Sequence, residues 1–255
     1  MLHCFTYSTS PDKVKYLNLT AGFHKVEVKN LSQTTKWSGF HEKVNAVRDS
    51  LNVLPDTDIA LFVDAYDVLV NDSSQKILEV FYSYNCKILF GAEKDLFPHH
   101  LKPLEPTYPT SSTEFRFLNS GVYIGYVGAL KEMIGWADYQ GKDDQEYFQN
   151  YFLRHQETVK LDVYSKLVLN MSKVPWSELM IQAGQVHHNE PPCLLHFNGM
   201  SYLDINIDMV TLNDTQKSFN YDFPYETTFK AIYISKLASA NTLIRCFLIG
   251  RGHTY

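Results

Sequence analysis

Short apolar runs alternate with longer amphipathic stretches along this chain. "LHCFTYS" reads as a first strand, and "PDKVKYLNLTAG" as a helix opened by proline and stopped at Gly22. "HKVEVKN" alternates polar and apolar positions as a strand does. In "HEKVNAVRDSLNVL", Val44, Val47, Leu51 and Leu54 recur on one helical face. "DIALFVD" is almost wholly apolar, the pattern of a strand buried on both faces of a parallel sheet. "SSQKILEVFYSYN" predicts a helix with a serine cap, and "KILFGAE" a further buried strand. Strands separated by helices of this length build βαβ units, which predicts an α/β fold around a mostly parallel sheet.

From Phe97 to Glu114 the periodicity dissolves into Pro, His, Ser and Thr, as in a long surface loop. "FRFLNSGVYIGYV" resumes as a strand, followed by helices over "GALKEMIGWADY" and "DDQEYFQNYFLR". The second helix carries its acids in the first turn, where the helix dipole favours them. "ETVKLDV" and "SKLVLNM" predict a short antiparallel pair, and "PPCLLHFNG" a late strand ending at a histidine. In "TFKAIYISKLASANTLIRCFLIG", Phe229, Tyr233, Leu237, Ala240, Ile244 and Phe247 lie near 3.6-residue spacing. That stripe predicts an amphipathic helix docked on the protein's own body, with a membrane-surface or homodimer helix as the alternative. The expected organisation is one domain over 1–204 and a C-terminal extension over 205–255, packed on the same domain.

One run breaks the apolar rule. "ALFVDAYDVLV" holds two carboxylates, Asp64 and Asp67, inside the chain's most hydrophobic segment. A buried carboxylate is costly unless it is paired, hydrogen-bonded or bound to a metal. Residues three apart on a strand face opposite ways, so the pair can cooperate only if the strand ends at Asp64. The chain must then turn at the sheet's carboxyl edge, where open α/β sheets bind ligands. The plain alternative is a turn cap at Asp64 and a loop start at Asp67. His196, between "CLL" and "FNG", is expected at a strand end as well. Two carboxylates, one imidazole and open positions suit Mn²⁺ better than Ca²⁺. Asp143 and Asp144 read first as helix-capping acids.

Charge and composition narrow the function classes. A net charge of −5 over 255 residues gives no basic field for a phosphate backbone, so no nucleic-acid partner is expected. No apolar run approaches the roughly 18 residues of a membrane span. Cys4, Cys86, Cys193 and Cys246 form no CxxC pair and are expected as free thiols. "MLHCFTYSTS" lacks the pattern of a signal peptide, so a cytoplasmic location is expected and the five N-x-S/T sequons stay unglycosylated.

"LFVDAYDVLV", "ILFGAEKDLFP", "RFLNSGVYIGYV", "KDDQEYF", "LDVYSKLVLNM" and "LLHFNG" together carry a resemblance. In this order they are similar to blocks of the glycosyltransferase domain of the multifunctional procollagen lysyl hydroxylases. The resemblance implies a GT-A type glycosyltransferase fold, Rossmann-like, with a mixed, mostly parallel sheet flanked by helices. It implies an Mn²⁺-dependent retaining enzyme that moves glucose from UDP-glucose to galactosyl-hydroxylysine of collagen or collagen-like chains, with UDP-galactose as the alternative donor. Asp64, Asp67 and His196 would hold the metal; Thr6, Trp37, Lys43, Tyr66, Asn198 and Gly199 would contact the nucleotide sugar. Asp143, Asp144 and Asn119 would face the transferred sugar and the acceptor. Two departures stand out. The acidic run is shorter than the family's, and "HFNGMSY" replaces a Gly-Asn-Gly-Pro-Thr-Lys pattern, losing its lysine. These departures motivate a competing reading as a nucleotide-sugar or collagen binding module with weak catalysis. A metal-dependent phosphohydrolase is the third class.

Overall fold

A computed structural model describes residues 1–136, 139, 143–175, 178–182 and 185–199, with the strand backbones at 203–211, 232–234 and 242–250. The chain divides into two compact units, one of residues 1–173 and 192–198 and one of 174–191 and 199–255.

The first unit is built from β1 (Leu2–Thr6), α1 (Lys15–Phe23), β2 (Val28–Asn30), α2 (Phe40–Asn52), β3 (Ile59–Val63) and β4 (Val68–Val70). It continues with α3 (Ser74–Ser83), β5 (Ile88–Glu93), β6 (Phe117–Tyr126), α4 (Val127–Ile134) and α5 (Asp144–Arg154). β7 (Val159–Asp162), β8 (Val168–Asn170) and β11 (Leu194–His196) complete it. Six strands form the main sheet in the order β2-β1-β3-β6-β5-β7. Within it β6 runs antiparallel to both neighbours, and the other pairings are parallel. The sheet is therefore mixed and mostly parallel, flanked by helices. A second sheet, β4-β11-β8, has three strands.

Strand alternation sorts the two faces of the main sheet. Leu61, Val63, Leu89, Val122 and Ile124 point to one side and share a core with Val68 and Val70 of β4, Val168 of β8, Leu194 of β11 and Ile77 and Phe81 of α3. Phe62, Phe90 and Tyr123 point to the other, where Phe148 of α5 packs 5.5 Å from Phe90 and 5.4 Å from Tyr123. This aromatic layer fixes α5 over the sheet. α3 starts as its sequence predicts, the Ser73 hydroxyl accepting from Lys76 N.

Three local expectations are corrected. Residues His99–Thr107, expected as loop, form 3-10 turns. β7 and β8 do not pair with each other; β7 joins β5 in the main sheet and β8 joins β11 in the small one. The cause is Asp162, whose buried carboxylate accepts from Lys166, Leu167 and Val168 N at 2.9, 2.7 and 2.8 Å and turns the chain between the strands. The third correction lies in the second unit.

That unit contains the hairpin β9 (Met180–Gln182) and β10 (Gln185–His187), and an antiparallel sheet of β12 (Leu203–Thr211), β13 (Ile232–Ile234) and β14 (Thr242–Gly250) in the order β12-β14-β13. The amphipathic helix expected from Phe229 to Phe247 is thus strand at 232–234 and from 242 onward. Phe229, Leu237 and Ala240 lie outside the described residues. "TLIRCFLIG" is rich in apolar, β-branched and aromatic residues, and its pairing with β12 runs from Leu203↔Gly250 to Thr211↔Thr242.

Candidate functional site

The paired acids owe their meeting to a strand that stops. β3 ends at Val63, and Asp64 N donates to Gly121 O of β6 at 2.7 Å. The chain turns through Ala65 and Tyr66, and β4 begins at Val68, just after Asp67. Asp67 O then accepts from Phe197 N at 2.8 Å, which anchors this turn to the end of β11. His196 closes β11 in register with Val68 on one side and Asn170 on the other.

His196 Nε2 consequently lies 3.4 Å from Asp67 Oδ2 and 4.0 Å from Asp64 Oδ2. One ligand atom from each of the three residues falls within 4.8 Å of the others. Gly121 makes the room. A Cβ there would sit 2.2 Å from His196 Cε1 and 2.9 Å from Asp64 Oδ2. Two carboxylates and an imidazole converging over a glycine fit a divalent cation that accepts oxygen and nitrogen donors.

Lys43 of α2 ties this cluster to α5. Its Nζ lies 3.0 Å from Asp64 Oδ1 and 2.6 Å from Asp144 Oδ2, with Asp144 almost fully buried. Burial opposes the ammonium charge, but Asp144 and Asp64 outweigh it and raise the Lys43 pKa. Burial raises the Asp64 carboxyl, against the pull of Lys43. At Asp67 burial is overcome by the charge and hydrogen bond of His196, so that carboxyl is held down. His196 moves the opposite way from its burial, upward, because Asp67 and Asp64 face it. The cluster is a compact array of alternating charge, which a cation arriving at the acids would reorganise.

The other expected residues are placed unequally. Thr6 ends β1, and its buried Oγ1 has no hydrogen-bond partner among the described residues. Tyr66 keeps its ring 42% exposed beside the acids, while its hydroxyl accepts from Thr9 N at 3.2 Å and Ser8 Oγ at 3.3 Å. Trp37, about half exposed, packs edge-on against Tyr7 and Phe40. Gly199 has φ +69°, the left-handed turn that follows Asn198. Asp143 does what its position first suggests: it caps α5, accepting from Gln145 N and Glu146 N. Asn119 is engaged inside, donating to Glu93 Oε1 at 3.3 Å and accepting from Gly121 N at 2.9 Å.

Glu93 is the residue that sequence reasoning passes over. It closes β5, is 5% exposed, and accepts from Asn119, from Gln145 Nε2 at 2.8 Å and from Asn198 Nδ2 at 2.7 Å. Burial pushes its carboxyl up to about 7, although these three amides pull the other way. It joins β5, β6, α5 and the segment after β11 beneath the acids. The available signal was a charged residue ending the apolar strand "ILFGAE". Asn170, which touches His196, closes the apolar run "LVLN" in a similar way but without a charge.

A mixed sheet with one reversed strand, and paired acids where a central strand ends, is the architecture of a GT-A type glycosyltransferase domain. The comparisons with known proteins make this particular: the family described as the PLOD GT domain matches residues 3–216, and the chain belongs to that family. Among curated relatives, the procollagen-lysine,2-oxoglutarate 5-dioxygenase of Drosophila melanogaster is 32% identical over 227 residues, 79% of this chain and 31% of the relative. The multifunctional procollagen lysine hydroxylase and glycosyltransferase of Caenorhabditis elegans is 28% identical over 76% of this chain and 30% of its own length. The chain therefore spans about three tenths of these relatives. Among solved structures, a glycosyltransferase involved in the glycosylation of the major capsid of PBCV-1 aligns over 77% of this chain and 93% of its own, with TM-score 0.48 and 13% identity. No helix among the described residues is long and apolar enough to cross a membrane.

Proposed function

We propose that this domain is an Mn²⁺-dependent retaining transferase that moves glucose from UDP-glucose to galactosyl-hydroxylysine on collagen or collagen-like chains. Family membership supports the reaction class, and the procollagen-modifying relatives support the acceptor. The observation that carries the reading is the convergence of Asp64, Asp67 and His196 within 4.8 Å where β3 ends. When bound there, a divalent cation supplies Lewis-acid stabilisation of the charge that develops on the departing diphosphate.

The chain's own groups have definable parts in this reading. Tyr66 offers an exposed ring to the base, and the Thr6 hydroxyl offers a buried donor and acceptor with no partner among the described residues. Lys43 balances the charge of Asp64 and Asp144 and keeps α5 close to the acids. Asp144 would orient the acceptor hydroxyl or stabilise positive charge at the sugar carbon, by analogy with glycoside hydrolysis.

A donor screen with Mn²⁺ and a galactosylated collagen peptide tests the proposal. UDP release and glucosylated peptide are expected with UDP-glucose. Turnover of UDP-galactose on hydroxylysine peptide would identify the galactosyl version instead. The grip of Lys43 on Asp144 at 2.6 Å favours one further reading, a nucleotide-sugar or collagen binding module. Tight UDP binding without turnover, unchanged by Asp144→Ala, would select that reading.

A further inference from the structure

We infer that Asn170 is a positioning residue that holds a proton on His196 Nδ1 and aims Nε2 at the carboxylates. The inference rests on the reading of Asp64, Asp67 and His196 as a metal site, and it concerns a residue that touches neither acid.

The strand register comes first. β8 and β11 are parallel neighbours with His196 opposite Asn170, and both side chains are buried. Asn170 Nδ2 donates to Ala92 O at 2.8 Å. A peptide carbonyl can only accept, so the amide nitrogen must face Ala92, and the amide oxygen must face the other way. That oxygen lies 2.7 Å from His196 Nδ1. Two acceptors cannot share this contact, so Nδ1 carries a proton. With Nδ1 committed to Asn170, Nε2 is the nitrogen left to face Asp67 and Asp64, 3.4 and 4.0 Å away. It does so as an N–H donor without a cation and as a lone pair where an ion replaces that proton.

Two glycines give the arrangement its tolerance of close approach. At Gly91 of β5 a Cβ would sit 2.9 Å from Asn170 Nδ2 and 2.7 Å from Val168 Cγ1. At Gly121 a Cβ would strike the imidazole itself. Asn170 thus lies against one bare backbone and His196 against another. Each ring or amide rotation that would expose the wrong atom is blocked by a partner of fixed polarity. Hydrogen bonds of this kind, to the far nitrogen of a metal-binding histidine, fix ring orientation and raise ligand basicity.

The test reads the Nδ1 resonance directly in metal-free protein labelled with ¹⁵N-histidine, with the signal assigned by its loss in His196→Gln. The expected spectrum has the proton on Nδ1. Asn170→Leu, of similar size but without an acceptor, should change the Nδ1 signal as that proton loses its partner. It should also weaken Mn²⁺ binding, followed by the EPR signal of free Mn²⁺, about 10–100-fold. Asn170→Asp keeps an acceptor at the imidazole and should retain the Nδ1 proton and most of the Mn²⁺ affinity. A parent protein with no proton on Nδ1, or an Asn170→Leu variant with unchanged Nδ1 signal and Mn²⁺ affinity, overturns the inference. If Asn170→Leu fails to fold, the parent spectrum and Asn170→Asp still decide it. A parent protein with the Nδ1 proton but no Mn²⁺ binding refutes the metal reading and upholds the hydrogen-bond assignment.

Discussion

Two buried carboxylates in the first unit solve the same electrostatic problem in opposite ways. Asp162 is satisfied by its own neighbourhood: three backbone N–H groups four to six residues ahead, plus the Tyr84 hydroxyl. Glu93 is satisfied by side-chain amides brought from β6, α5 and the segment after β11, up to 105 residues away. The first is a local turn built around a charge. The second comes into being only when distant segments have met. A locally satisfied acid maintains the fold, whereas one fed from several elements holds a site together.

Breaking the local arrangement should have the largest effect. Asp162→Ala strands three backbone donors in the interior, and urea unfolding should show a loss of about 3–5 kcal/mol. Metal affinity measured under folded conditions should then be little changed.

The assembled arrangement should reveal itself through pH. The Glu93 carboxyl titrates at about 7 in the fold, against an ordinary value of 4.5. Between those values the folded protein holds a proton that the unfolded chain has released. Stability is therefore fully retained at the acidic end and declines as pH rises through about 7, by about 3 kcal/mol. Glu93→Gln does not titrate there. Its stability relative to the parent should improve by most of that amount between about pH 5 and about pH 8. A constant difference across this range would mean that the carboxyl is not raised.

Tyr84→Phe sharpens the comparison at smaller scale, since it removes one donor from Asp162 and leaves the three backbone ones. A loss of about 2 kcal/mol is expected from chemical denaturation. The smallest stability change belongs to the site itself. Asp67→Ala should alter unfolding free energy by no more than about 1 kcal/mol while eliminating Mn²⁺-dependent UDP release. Its collapse as a folded protein would recast Asp67 as structural.

The same contrast explains what the sequence revealed. The apolar run Ile59–Val63 ending at Asp64, and the serine before α3, are local signals, and both are present in the fold. His196 was legible as a polar residue closing a late apolar strand. Asn170 and Glu93 close similar strands, but their partners are known only once the topology is known. β7 and β8 are short and follow one another closely, so a hairpin is the economical reading, and only the side-chain chemistry of Asp162 sends them to different sheets. In the last fifty residues apolar positions satisfy a helical period and a strand run alike, and pairing with β12 decides for strand.

The step from Asp64 to Asp67 also has a mechanical side. Within four residues the chain leaves the six-stranded sheet and enters the three-stranded one, so Asp64 sits at the rim of the first while Asp67 and His196 belong to the second. An ion held by all three would clasp two layers that already meet through greasy side chains, this short strap and buried hydrogen bonds such as Asn170 to Ala92 O. Loading the protein should then slow amide exchange at Asp64 and Phe197, whose N–H groups fix the acids on either side of the seam, more than at the centre of either sheet.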